Sequence, residues 1–337
     1  FDPTSENNTV TFDGQSATVI SASAVRLVVE VPVVSGGLSQ VVVTNSAGSS
    51  TAINNFTLIN SKQGGTFTGT SAAVGATIDG PFTTSSADLN NDGYIDIIVG
   101  LSVADELLWF QNDGSGSFTK RSIIGSFDAF AARPTDMNDD GFMDIVASSF
   151  ATNKVSWFEN DGNLPVVTFT EHIISSSVSG VNDVFPVDMD GDGDIDVVTA
   201  NNTEGSIYWF ENDGTNLFTK RVVTDKAKGA RSLSVTDFEF DGDLDIVTST
   251  WNSESVLTFI NDGDENFSKN TVASSWGHPS AAIGIDMNKD GTKDLLIANN
   301  IWGFLSWTGR NSLYPDNDVS YNSLNSISSI FPVDIEG

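Results

Sequence analysis

One acidic stretch returns along this chain at a nearly fixed interval. DLNNDGYIDIIVG starts at Asp88, DMNDDGFMDIVAS at Asp136, DMDGDGDIDVVTA at Asp188, DFEFDGDLDIVTS at Asp237 and DMNKDGTKDLLIA at Asp286. A sixth start stands at Asp334 in VDIEG, and the six starts are 48, 52, 49, 49 and 48 residues apart. A period of that length marks an architecture made by stacking one supersecondary unit, each copy covering the exposed face of the next. It constrains the fold more than any local propensity.

Inside each unit the pattern is equally regular. A β-rich apolar run leaves the acidic loop (Ile95–Val99, Ile145–Ala147, Val197–Thr199, Ile246–Thr248, Leu295–Ala298). An aromatic run follows and ends in a turn, as in LLWFQNDG, VSWFENDG, IYWFENDG and VLTFINDG. Asn-Asp-Gly between two β-runs is a hairpin signal. A last run such as FTKRSII or FTKRVVT supplies a fourth strand. Four antiparallel strands per unit of about 50 residues read as one propeller blade, and runs apolar on both faces fit strands covered on both sides. The fixed place of Trp109/Phe110, Trp157/Phe158 and Trp209/Phe210 in the repeat predicts packing between blades rather than ligand contact.

The loop itself carries chemistry. DMDGDGDID packs five aspartates into nine positions. Acidic residues at positions 1, 3 and 5 with glycine at 6 form the start of a calcium loop, in which alternate side chains turn inward and the glycine allows a sharp bend. The glutamate and helix of an EF-hand are missing, so the scaffold is β. Side-chain oxygens are expected from positions 1, 3, 5 and 9: Asp88, Asn90, Asp92, Asp96; Asp136, Asn138, Asp140, Asp144; Asp188, Asp190, Asp192, Asp196; Asp237, Glu239, Asp241, Asp245; and Asp286, Asn288, Asp290, Asp294. Position 7 (Tyr94, Phe142, Asp194, Asp243, Thr292) offers its carbonyl. This oxygen set suits Ca2+ over Mg2+ or a soft metal, at about five sites, one for each complete loop. The alternative is a set of solvated acidic turns. Glu239 is longer than its counterparts, and Phe240 stands where other loops carry small or polar residues, so the fourth loop is the most doubtful.

On these motifs residues 66–337 resemble the FG-GAP/VCBS repeats of integrin-α-like β-propellers. The resemblance implies an all-β fold, a seven-bladed β-propeller whose calcium loop joins the first two strands of each blade. Residues 1–59 alternate like short strands with Gly/Ser/Asn turns and resemble an IPT/TIG domain, an Ig-like β-sandwich; residues 60–65 are the expected linker. Gly64–Val74 is expected to supply an outermost strand that closes the ring. Both domains read as cut, the sandwich at its N-terminal side and the propeller after Gly337, as a fragment of a longer modular chain.

Composition excludes some functions. With 45 acidic against 15 basic residues the net charge is −30, which is unsuited to nucleic acid or an anionic membrane surface, and no run is long enough for membrane insertion. The chain has no cysteine, hence no disulfide and no thiol chemistry. Extracellular calcium modules bind at about 10⁻⁴–10⁻³ M, concentrations met outside cells, so a secreted or cell-surface location is expected.

Calcium loops and NDG turns fall at one end of the blades, and the connections that vary between repeats fall at the other. Variable loops on a rigid frame are where binding concentrates. Trp251, Trp276, Trp302, His278 and Arg133 are the candidates for contacting a carbohydrate or protein ligand. The expected role is cell adhesion or another binding function, not catalysis, since no acid–base constellation is visible. A spacer or assembly unit of a surface filament is the alternative, and a polysaccharide-degrading enzyme a more remote one.

Overall fold

The computed structural model describes residues 4, 7–12, 15–22, 27–30, 37–45, 48–58, 78–163, 167–274, 277–287, 292–300, 305–308, 317–319 and 330. The chain divides into two compact units, Phe1–Ser71 with Pro332–Gly337, and Ala72–Phe331. No α-helix occurs among the described residues, so no helix there could cross a membrane.

The first unit is a five-stranded antiparallel sheet of β1 (Thr9–Phe12), β2 (Gln15–Ala22), β3 (Leu27–Glu30), β4 (Gly37–Asn45) and β5 (Gly48–Leu58). Its order is β3-β2-β1-β4-β5. A second layer, as a sandwich would have, is not seen for this unit among the described residues. Gly64–Val74 lies outside them.

Among the described residues the second unit holds five sheets of four strands, each a meander in sequence order. The first is β6 (Pro81–Ala87), β7 (Asp96–Leu101), β8 (Glu106–Asn112) and β9 (Phe118–Gly125). The second is β10 (Ala129–Thr135), β11 (Asp144–Ser149), β12 (Lys154–Asn160) and β13 (Phe169–Ser175). The third is β14 (Val181–Val187), β15 (Asp196–Asn201), β16 (Ser206–Asn212) and β17 (Phe218–Thr224). The fourth is β18 (Ala230–Thr236), β19 (Asp245–Thr250), β20 (Ser255–Asn261) and β21 (Phe267–Ser274). The fifth is β22 (Pro279–Ile285), β23 (Asp294–Asn299), β24 (Leu305–Thr308) and β25 (Asn317–Val319). The acidic loop joins the first and second strand of every sheet, and the expected count of seven blades rests on the resemblance alone.

Burial explains the composition of each strand. The second strands β11, β15 and β19 are buried at every residue, because a neighbouring blade covers each face. The fourth strands β9, β13 and β17 lie at the outer edge and are mostly half-exposed or exposed. Side chains alternate between faces, so neighbouring residues of one strand enter different cores. Ile145 and Ala147 join a core with Leu89, Ile98 and Trp109 of the first blade. Val146 joins one with Val184, Val197 and Phe210 of the third. The aromatic pairs follow the same rule. Trp109 packs against the second blade and Trp209 against the fourth, whereas Phe158 and Phe210 pack against the preceding blade. Trp109, Phe158 and Trp209 are no more than 2% exposed, as expected of inter-blade packing.

The innermost strands touch each other in sequence, β6 with β10, β10 with β14, β14 with β18 and β18 with β22. Each opens with a β-bulge, at the end away from the acidic loop. The extra residue is Phe82, Phe130, Asn182, Arg231 and Ser280 in turn. Further along, Asp183 ties three blades together. Its carboxylate accepts from Arg133 Nη2 of β10 at 3.0 and 3.1 Å and from the main-chain N–H of Leu233 in β18 at 2.8 Å.

Candidate metal loops and the opposite face

Four acidic loops lie wholly within the described residues and share one hydrogen-bond plan. The position-1 aspartate faces back into its own loop. Asp88 accepts from Asp92 N and Gly93 N at 3.1 and 2.8 Å, Asp136 from Asp140 N and Gly141 N, and Asp237 from Asp241 N and Gly242 N. Asp188 accepts from Gly191 N and Gly193 N. The position-6 glycines Gly93, Gly141, Gly193 and Gly242 sit at φ of +90°, +87°, +103° and +104°, which a residue with a Cβ rarely adopts. Position 4 is also left-handed, at Asn91, Asp139, Gly191 and Phe240. Asn, Asp and Gly suit that conformation; Phe240, at φ +63° and 52% exposed, does not.

Position 9 does more than the sequence implies. Asp96, Asp144, Asp196 and Asp245 have no exposed surface, and each bridges the loop to the end of the third strand. Asp144, for example, accepts from Met137 N at 3.0 Å and from Asn160 N at 2.7 Å. Asp196 takes a third bond, from Trp209 Nε1 at 2.8 Å. Burial pushes these carboxyls up, Asp96 and Asp196 to about 6 and Asp144 to about 7, with nearby loop carboxylates adding to the rise against the main-chain N–H bonds. Desolvation likewise raises Asp88 and Asp190.

Two observations test whether these residues fit a cation. Carboxylate oxygens of Asp188, Asp190 and Asp192 all lie within 4.8 Å of one another. Asn90 Oδ1 is buried with no hydrogen-bond partner, although its Nδ2 donates to Asp92 at 2.8 Å. A converging set of hard oxygens with an orphaned amide oxygen suits Ca2+. Each carboxylate oxygen keeps a second lone pair, so the internal bonds do not use up the donor set. In the fifth loop Asn288 and Asp290 lie outside the described residues, while Asp294 is buried and accepts from Met287 N at 2.9 Å.

At the opposite end, turns and connections meet. Trp251 N donates to Gly229 O at 2.8 Å, as Ser102 N does to Gly80 O and Asn202 N to Gly180 O. These glycines have φ near +70° to +81°, and a Cβ at Gly229 would lie 2.4 Å from Asn252 N. In the fifth blade the same place is held by His278, at φ +64°, whose carbonyl receives Asn300 N. The His278 ring stacks on Trp251 at 4.6 Å, and the Arg231 guanidinium lies 4.6 Å from the same ring. His278 Nε2 is 3.6 Å from Glu254. Burial pulls Arg231 below the usual arginine range, and no ion pair reaches it among the described residues.

Of the five ligand candidates, Trp251 and His278 come together here. Arg133 is engaged inside, paired with Asp183 and lying 4.7 Å from the Phe185 ring. Trp276 and Trp302 lie outside the described residues. Sequence reading missed Arg231, Phe82, Phe130 and Phe150. Phe130 is 4.2 Å from Phe82 and 4.8 Å from Phe150, and Phe82 is 48% exposed. Aligning the five repeats would have pointed to Arg231, Phe82 and Phe130, since the residue two after the Gly or its counterpart differs in kind from blade to blade.

Repeated four-stranded blades, each with an acidic loop between its first two strands, define a β-propeller. Residues 88–147, 136–199 and 188–248 match the FG-GAP-like repeat, and residues 1–58 match the IPT/TIG domain. The chain thus carries FG-GAP-like repeats over residues 88–248 and an IPT/TIG domain over residues 1–58. No curated protein sequence matches it. Among solved structures it is similar to an Agrocybe aegerita lectin described as recognising non-reducing terminal N-acetylglucosamine. That match has 16% identity and a TM-score of 0.53, and covers 92% of this chain and 88% of the lectin. It is also similar to a protein of unknown function from Bacteroides thetaiotaomicron, with 13% identity, a TM-score of 0.51, and coverage of 96% and 81%. At these identities the likeness is one of fold.

Proposed function

We propose that the chain is a calcium-stabilised binding module of an extracellular or cell-surface protein, and that it holds its ligand on the face opposite the acidic loops. The observation that carries this reading is the contrast between the two ends of the blades. The loop end repeats one donor set, as a shared structural ion requires. The other end changes its side chains from blade to blade, as recognition of a shaped ligand requires. Calcium would be held by positions 1, 3, 5 and 9 with the position-7 carbonyl, where it would neutralise the loop and fix the first two strands to each other. In this reading the ion is structural, and no catalysis is assigned to the loops. The likeness to a lectin supports ligand binding at the level of fold and leaves carbohydrate or protein as the ligand class.

A glycan-array screen of the folded chain, with calcium and after chelation, tests the proposal. Calcium-dependent binding that is lost on changing residues of the variable face supports it. Binding lost only by changing residues between the loops, in a folded protein, refutes the assignment of the face.

A further inference from the structure

We propose that the bulged residues of the innermost strands form a reading surface for an acidic, uronate-bearing oligosaccharide, with Arg231 taking the carboxylate. The inference rests on the reading above and adds the ligand class.

Bulges re-aim a single side chain, and here one occurs at the same place in all five described blades. Because adjacent innermost strands touch, the extra residues follow one another along an arc on the variable face. Their chemistry is graded along it. The first two are phenylalanines that continue into Phe150 through ring contacts of 4.2 and 4.8 Å, and part of this surface is exposed. Such a surface suits the C–H face of a pyranose ring. Asn182 follows, half-buried, with an amide able to pair with hydroxyls. Ser280 ends the series and is buried, so it is not part of the surface.

Arg231 comes between them and changes the sign of the charge. The connection before it, DKAKGAR, carries exposed Lys226 and Lys228 within five residues of it in sequence, and Lys269 Nζ donates to Lys226 O at 2.6 Å. Among the described residues neither lysine of the connection nor Arg231 forms an ion pair. In a chain of net charge −30, a cluster of cations without acidic partners is the exception. Asp225 adjoins the lysines in sequence, and Glu254, three residues after Trp251, lies 3.6 Å from His278 Nε2. A guanidinium over the Trp251 ring, 4.6 Å from its centroid and without an ion-pair partner among the described residues, is able to bind a planar carboxylate in a fork. Aromatic, amide and cationic groups along one arc match a sugar that carries an acid, and match a neutral glycan less well.

The test titrates the full chain, in excess calcium, with tetragalacturonate and with its fully methyl-esterified counterpart. The acid is expected to bind about tenfold or more tightly than the ester, as loss of a charge-assisted pair implies. Arg231→Gln should weaken the acid by a similar factor and leave the ester unchanged, Arg231→Lys should recover part of the loss, and Phe82→Ser should weaken both sugars. Thermal melts in calcium establish that each variant is folded. No binding of the acid, or equal binding of acid and ester, overturns the ligand class. Binding of a glutamate-rich peptide in place of the sugar, lost in Arg231→Gln, also overturns it and keeps the face. Binding of the acid that is indifferent to Arg231 and Phe82 and lost in Asp188→Ala overturns the assignment of the face as well.

Discussion

Removing the Asp183 side chain should cut two ties between blades at once. Its carboxylate holds Arg133 from the blade before and the Leu233 N–H from the blade after, and its side chain is only 14% exposed. Asp183→Ala removes both ties. The Arg133 side chain is 34% exposed, so its pair with Asp183 is worth about 1 kcal/mol after solvent screening. The bond from Leu233 N has a charged acceptor, and losing it costs about 1–2 kcal/mol even where water reaches the freed N–H. The sum is about 2–3 kcal/mol. For a denaturation slope near 3 kcal/mol/M this lowers the urea midpoint by roughly 0.5–1 M, measured in saturating calcium so that ion binding stays constant. Arg133→Ala removes only the first tie and its contact with Phe185, and should cost less. In the double variant the two changes should fall short of additivity by about 1 kcal/mol. If the single changes cost the same and add within about 0.3 kcal/mol, the two blades are not joined through this pair and the reasoning fails.

Other outcomes follow from the loops and cores. Chelation should destabilise the propeller, and restoring about 1 mM calcium should return roughly 0.4–1.4 kcal/mol per site for dissociation constants of about 10⁻³–10⁻⁴ M, read as a calcium-dependent melting temperature. Phe240→Asn should stabilise by about 0.5–1 kcal/mol, because it relieves a left-handed aromatic residue that is exposed and packs little; an unchanged or lower melting temperature would contradict this. Trp209→Phe removes the Nε1 bond to Asp196 and part of a core side chain, and should cost about 2–4 kcal/mol by urea denaturation.

The loops, the strand order within a blade and the burial of the Trp-Phe pairs were legible because each recurs with the repeat, so every copy supports the others. Local sequence could not show what depends on pairing between distant segments. A bulge exists only relative to the partner strand, so Phe82 and Arg231, each the second residue of its strand, look ordinary until the register is known. Asp183 and Arg133 are 50 residues apart and meet because their blades are neighbours. The position-9 aspartates could be read as metal oxygens from spacing, yet their bonds to the third strand cannot, since those donors lie 16 residues away.

The alternating faces of the strands have an evolutionary consequence. The first three blades present a tryptophan side forward and the second to fourth a phenylalanine side backward, so a copied repeat of this kind arrives with a plug and a socket that already fit its neighbours. Gain of a whole unit therefore calls for no new interface, whereas gain of a single residue in a central strand exchanges plug for socket from that point on. Variation in such a gene should accumulate as substitutions at the arc positions and as duplications in whole repeats, with insertions confined to the connections.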